Sequence, residues 1–349
     1  MIDRRQLLRS APLLAAALPL PGLLRAQQET ATAATLRPRR LQPGDTIGLV
    51  APSGAIYERA PYELAHEALK ALGFKVREGA HLRARHGHLA GTDEQRAGDV
   101  NAMFADPAVH GILAMIGGAG GARMLSRVDY GLVRRQPKFL GGYSDLTALV
   151  NAVHARSGLI TFHSPMAASD WNEFSTAQFR ATVMAAEAVL MRNPVPAGDS
   201  LVPREGRIEV LRGGRARGRL VGGNLAVLVG LAGSPYWPRF DGALLFLEEA
   251  NEYIYRVDRM FSTLELSGAL ARVAGVVLGG FTNCGPGDGK HGSLTLDEVF
   301  DRFLLPLDVP VYRGASFGHI RRKFTLPVGG LAEMDADAGT LRLLEPVVA

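Results

Sequence analysis

Cysteine is almost absent. Cys284 is the one cysteine among 349 residues, so no disulfide can close within the chain. It follows the apolar run Val276-Val277-Leu278, a setting for a small buried residue rather than a nucleophile. Long apolar runs are missing too: beyond the N-terminal thirty residues nothing is long enough to span a bilayer. An excess of one charge is also lacking. The formal net charge is +5, but residues 1–26 hold Arg4, Arg5, Arg9 and Arg25 against Asp3, which leaves 35 basic and 33 acidic residues in the remainder. That balance argues against a nucleic-acid surface. The basic stretch 204–219 is diluted by glycine and glutamate and reads as solvated surface. There is no internal repeat. The glycine run Gly117-Gly-Ala-Gly-Gly121 lacks the Lys-Ser/Thr of a Walker loop, and Gly-x-Gly-x-x-Gly does not occur there. His81, His86 and His88 cluster without a cysteine or carboxylate at ligand spacing, so neither metal nor cofactor is expected.

What is there begins with an export signal. Asp3-Arg4-Arg5-Gln6-Leu7-Leu8 has the twin-arginine pattern, and an apolar stretch interrupted by Pro12 and Pro19 follows it. Residues 1–26 read as a signal cleaved near Ala26, and residues 27–40 as a polar linker. A route that carries folded proteins suits a chain without disulfides. The expectation is a periplasmic protein with no stable membrane insertion after cleavage, or a cytoplasmic one if the segment is not a working signal.

Short apolar strands alternate with helical segments from residue 46 onward. Thr46-Ile-Gly-Leu-Val-Ala51 and Gly111-Ile-Leu-Ala-Met-Ile116 are buried strands, each followed by a glycine-containing turn. Between them lies a helix with Leu64, Ala65, Ala68, Leu69 and Leu72 on its apolar face, and Thr92 with Gln95 at capping-box spacing opens another. Residues 176–190 read as helical. This alternation predicts an α/β fold: a doubly wound parallel-sheet domain over residues 41–192, a Pro- and Gly-rich connection at 193–207, and a second, mixed α/β domain at 208–349. Sites in such sheets lie at the carboxyl ends of strands.

One stretch stands out at such an end: Phe139-Leu-Gly-Gly-Tyr-Ser-Asp-Leu-Thr-Ala-Leu149. A strand runs into two glycines, then Ser144, then a helix opened by Asp145. That is the logic of a nucleophile elbow, although Leu146 replaces the second glycine of Gly-x-Ser-x-Gly. An ordinary corner with a serine N-cap reads equally well from these residues alone. A serine needs a base. His319, in the glycine-flanked Phe317-Gly318-His319, could present an imidazole at a cleft, or could be a surface loop residue. Glu248, at the end of the apolar strand 243–247, could orient that imidazole, or could face water. Spacing does not decide between these.

The segments Gly48-Leu-Val-Ala-Pro-Ser53, Leu89-Ala-Gly-Thr-Asp-Glu-Gln-Arg96, Gly117-Gly118, Gly142-Tyr-Ser-Asp-Leu-Thr-Ala-Leu149, Gly222-Gly-Asn-Leu225, Leu247-Glu-Glu249, Phe317-Gly-His319 and Leu326-Pro-Val-Gly329 together resemble the serine LD-carboxypeptidase family. That family includes muramoyltetrapeptide carboxypeptidases and microcin C immunity proteins. The resemblance implies Ser144 as nucleophile, His319 as base, Glu248 as its partner, and backbone N–H groups of Asp145 and Gly118 as the oxyanion hole. It also implies a peptidoglycan tetrapeptide as substrate, with release of terminal D-alanine and no metal, and a homodimer is expected. Its microcin branch implies the alternative, hydrolysis of a peptide–nucleotide conjugate, for which Trp171 or Trp237 would have to stack on the base. Two departures stand out: Ile116-Gly-Gly-Ala-Gly120 where the family commonly reads Arg-Gly-Gly-Tyr-Gly, and His163-Ser-Pro-Met where it reads His-Gly-Pro-Met.

Overall fold

The computed structural model describes residues 35–194, 201–202, 206–288 and 292–349. The stretch expected to be a signal, most of the expected linker after it and much of the connection at 193–207 lie outside these.

The alternation of strand and helix builds a first sheet from β1 (Thr46–Val50), α1 (Ala60–Ala71), β2 (Lys75–Glu78), α2 (Asp93–Ala105), β3 (Gly111–Ala114), α3 (Tyr130–Arg135), β4 (Phe139–Gly141), α4 (Leu146–Ser157) and β5 (Thr161–His163). These five strands are parallel. Both β2 and β3 pair with β1, so the strand order turns back between β1 and β3, the place where open parallel sheets put a binding crevice. The capping box of Thr92 and Gln95 starts α2 as its spacing predicts. On α1, however, Leu64 is 61% exposed and Tyr62 is buried instead. Ala65, Leu69 and Leu72 are buried as expected, and the edge of the buried face moves to Tyr62, whose hydroxyl donates to the Leu82 carbonyl.

The segment expected to be helical through residue 190 divides. Helix α5 (Glu173–Phe179) ends in a π-turn over Arg180–Met184, and β6 (Leu190–Arg192) follows. This strand joins the second sheet, with β7 (Glu209–Arg212), β8 (Arg215–Asn224), β9 (Leu244–Ala250), β10 (Gly275–Thr282) and β11 (Val311–Arg313). Helices α6 (Leu225–Val229), α7 (Ile254–Leu266) and α8 (Leu296–Leu304) accompany it. The next strand, β12 (Leu326–Val328), leaves this sheet and adds to the edge of the first one, antiparallel to β5. Strands β13 (Leu331–Asp335) and β14 (Thr340–Leu343) return to the second sheet. The two sheets thus exchange one strand each across the middle of the sequence.

The strand β9 shows how the core is divided. Leu244 and Phe246 enter an apolar cluster shared with the first sheet, whereas Leu245 and Leu247 face Val257, Phe261 and Phe303 of α7 and α8. Alternate side chains point to opposite faces. The next two residues, both carboxylates, are therefore separated: Glu248 continues toward the first sheet and Glu249 toward α6.

Candidate active site

Ser144 sits between β4 and α4 with φ of +63°. A left-handed conformation is uncommon for a residue with a Cβ and marks a constrained turn. The turn is braced from the loop after β3. The Asp145 carboxylate accepts a hydrogen bond from Gly121 N–H at 2.7 Å, and Gly117 carries its carbonyl to Gly54 N–H at 3.0 Å. Gly117 passes so close to the nucleophile that a Cβ there would lie 2.8 Å from Ser144 Cβ and 2.9 Å from its Oγ. The N–H groups of Gly118 and Asp145 donate no hydrogen bond among the described residues. Asp145 follows Ser144 directly and Gly118 follows the glycine that presses on it, and Asp145 is also the N-cap of α4, where unpaired N–H groups favour negative charge.

The second sheet is brought to this corner by α4. Thr147 Oγ1 accepts from Asn224 N–H at 2.9 Å, and Asn151 Nδ2 donates to the Gly222 carbonyl at 2.8 Å. Such proximity needs glycine: a Cβ on Gly223 would lie 2.5 Å from Thr147 Oγ1. In the β8–β9 register Asn224 stands beside Glu248, so docking α4 onto β8 also delivers Glu248. Its neighbour Glu249 accepts from Asn224 Nδ2 and from the N–H groups of Ala226 and Ala250, which assigns it to holding the start of α6.

The strand exchange supplies the histidine. Leu326 pairs with His163, the last residue of β5, so the chain immediately before β12 lies at the carboxyl end of the first sheet. The Ala315 N–H donates to Leu278 and the His319 carbonyl accepts from Thr282 Oγ1, which fixes this loop along β10. His319 Nε2 is then 3.0 Å from Ser144 Oγ and His319 Nδ1 is 2.7 Å from Glu248 Oε2. A carboxylate can only accept, so Nδ1 carries the proton and Nε2 presents its lone pair to the serine hydroxyl. Glu248 is fully buried. The three side chains that spacing left undecided meet in one hydrogen-bonded chain.

Three further groups surround them. His163 is buried among Tyr143, Phe246 and Phe317, with no partner on either ring nitrogen among the described residues. Burial pushes its pKa down to about 4 despite the pull of Glu248. The Tyr143 ring meets His319 edge-on with centroids 5.1 Å apart. Lys323 Nζ lies 4.3 Å from the centre of the same ring. In the sequence His163 stands out only within a departure from a family motif, and nothing local marks Tyr143. The signal for Lys323 was slight, a third cation after Arg321-Arg322.

Residues elsewhere that sequence had weighed take other roles. His81 pairs with Asp99 at 2.9 Å. Cys284 is half-buried, with its thiol pushed up by desolvation. Trp171 packs edge-on against Phe179, and Trp237 packs on Phe240. A cavity of about 630 Å³ opens beside Arg207, Gly280, Ser316 and Arg321. It contains none of Ser144, Glu248 and His319, and Pro194 and Gly206 on its wall border undescribed residues, so the chemistry is placed at the hydrogen-bonded chain instead.

Comparison with known proteins gives the family. The LD-carboxypeptidase N-terminal domain matches residues 47–164 and the LD-carboxypeptidase C-terminal domain matches residues 217–334. The chain belongs to the LD-carboxypeptidase family. It is a serine-type LD-carboxypeptidase by that membership. A probable murein peptide carboxypeptidase of Bacillus subtilis is 34% identical over 86% of this chain and 91% of its own length. A muramoyltetrapeptide carboxypeptidase structure from Oxalobacter formigenes is 28% identical, with a TM-score of 0.71 over 85% of this chain and 97% of its own. MccF in complex with glutamyl sulfamoyl guanosine is 26% identical, with a TM-score of 0.80 over 90% of this chain and all of its own.

Proposed function

We propose that this LD-carboxypeptidase hydrolyses the L,D-peptide bond that holds the terminal D-alanine of a peptidoglycan tetrapeptide. The observation that carries the reading is the pair of contacts at 3.0 and 2.7 Å that runs from Ser144 through His319 to Glu248. Ser144 Oγ attacks the scissile carbonyl as His319 Nε2 takes its proton. Glu248 holds the ring and stabilises the imidazolium. The N–H groups of Gly118 and Asp145 receive the oxyanion; one such donor is worth roughly 3 kcal/mol in the transition state. His319 then gives its proton to the leaving amine, D-alanine departs, and an ester links the remaining tripeptide to Ser144. Water, deprotonated by His319, cleaves that ester and restores the serine. No metal or cofactor enters the scheme. Export by the twin-arginine signal would place the enzyme beside its polymer, and a homodimer is the expected assembly.

Mass spectrometry of a muropeptide tetrapeptide incubated with the purified protein tests this. Loss of one D-alanine, abolished in Ser144→Ala, is the expected result. Turnover of the variant at the wild-type rate would remove Ser144 from the scheme. The likeness to MccF favours a second reading, hydrolysis of an acyl-sulfamoyl nucleotide conjugate. Both tryptophans are engaged with phenylalanines, Trp171 edge-on with Phe179 and Trp237 tilted against Phe240. Offering the two substrates side by side separates the readings.

A further inference from the structure

An exopeptidase that removes a single C-terminal residue has to recognise the free carboxylate of that residue. The carboxylate carbon lies two bonds beyond the scissile nitrogen, so its receptor belongs within a few ångströms of the nucleophile. A cation that recognises it should be sheltered from water, where the pairing is stronger, and should not already hold an anion.

Three basic side chains other than histidine are buried among the described residues: Arg96, Lys138 and Lys323. Arg96 is occupied by Asp93 and by the carbonyls of Pro52 and Gly120. Lys138 donates to the carbonyls of Met103 and Asp106, at the opposite, amino end of β4. Lys323 differs from both. Its backbone N–H is held by Ser175 Oγ at 2.9 Å, which fixes where the side chain starts. Its ammonium meets the face of Tyr143 and makes no hydrogen bond or ion pair among the described residues. Tyr143 immediately precedes the nucleophile, and its ring touches the imidazole of His319 on the same side of the turn. The nearby carboxylate of Glu248 has its Oε2 on His319 and its Oε1 without a partner among the described residues, and neither oxygen forms an ion pair with Lys323.

We propose that Lys323 is the receptor for the C-terminal carboxylate of the substrate, an inference that rests on the LD-carboxypeptidase reading above. Burial has already stripped water from the ammonium and lowered its pKa to about 8, with Glu248 and Asp170 pulling the other way. Much of the desolvation that normally opposes ion pairing is therefore complete before substrate arrives. The Tyr143 ring holds the cation in place meanwhile. The pairing would select peptides with a free terminus and reject amidated ones or longer chains, because neither of these carries a carboxylate at that distance.

The test compares a tetrapeptide ending in free D-alanine with the same peptide ending in D-alanine amide, using the full-length protein and its Lys323→Met and Lys323→Arg variants. Wild-type protein is expected to prefer the acid. In Lys323→Met the kcat/KM for the acid should fall about a hundredfold, mostly through KM, because a charged partner is lost from a desolvated site. The amide should lose far less, so the preference collapses, and Lys323→Arg should restore part of it. Equal losses on both peptides would mean that Lys323 supports the fold or Glu248 rather than the carboxylate, and would overturn the assignment. So would an acid preference that survives in Lys323→Met. Wild-type protein that hydrolyses neither peptide would instead overturn the parent reading and take this inference with it.

Discussion

Lys323 should cost the protein stability, and Lys323→Met should return it. The residue is 6% exposed, and burial lowers its ammonium from the ordinary 10.5 to about 8. The gap corresponds to roughly 3 kcal/mol of penalty on the charged form. The sign follows from proton binding. Between pH 8 and 10.5 the unfolded chain holds the proton and the folded one has released it, so stability rises with pH across that window. Below pH 8 both states are charged and the folded state bears the whole penalty. Methionine fills a similar volume without the charge, but forgoes the contact with Tyr143, worth up to about 2 kcal/mol when desolvated. At pH 7 the variant should therefore be more stable by about 1–3 kcal/mol, and this advantage should fade as pH climbs from 8 to 10.5. Urea unfolding of wild type and variant at pH 7, 9 and 10.5 measures the difference, and other titrating groups cancel between the two proteins. A variant less stable at pH 7, or an advantage that ignores pH, would refute the reasoning. A gain in stability joined to a loss of activity on the free-acid peptide is the pattern expected of a group retained for function.

Three more outcomes follow from the geometry. Glu248→Gln should fold but lose about three to four orders of magnitude in kcat, because an amide no longer fixes the proton on Nδ1 of His319; steady-state release of D-alanine reads this. His163, held neutral by burial with its pKa near 4, should make stability fall as pH drops from 6.5 to about 4, where the unfolded chain takes up the proton and the folded one refuses it. That slope, worth roughly 3 kcal/mol, should largely vanish in His163→Phe when unfolding is followed at pH 7 and 4.5. Gly117→Ala, whose Cβ would press on Ser144, should displace the nucleophile and lower kcat about a hundredfold while the melting temperature moves little.

Much of the local structure was legible because its causes are local. Glycine before Ser144 and an apolar helix after Asp145 predict the turn. Thr92 and Gln95 predict the start of α2, and the alternation of strands with helices predicts a parallel sheet. The edge of the buried face of α1 is not legible locally, since Tyr62 meets a carbonyl twenty residues away and Leu64 is left exposed. The helical reading through Leu190 overruns into the first residue of β6, whose partner is β14, a strand the chain reaches only at its end. The run 326–328 gave no sign of joining the first sheet, since three apolar residues suit either sheet and only the pairing with β5 decides.

By itself, then, the sequence determined the strand–turn–helix around Ser144, the alternation of strands and helices in the first sheet, and family motifs that name Ser144, Glu248 and His319. It could not choose physically among nine histidines or between two adjacent glutamates. That choice belongs to the tertiary structure. Glu248 and His319 are 71 residues apart and His319 and Ser144 are 175 apart, and what unites them is the docking of α4 on β8 and the register of Leu326 against His163. Contacts across such separations are set by how faces pack, and one residue of slip in a strand turns every side chain to the opposite face.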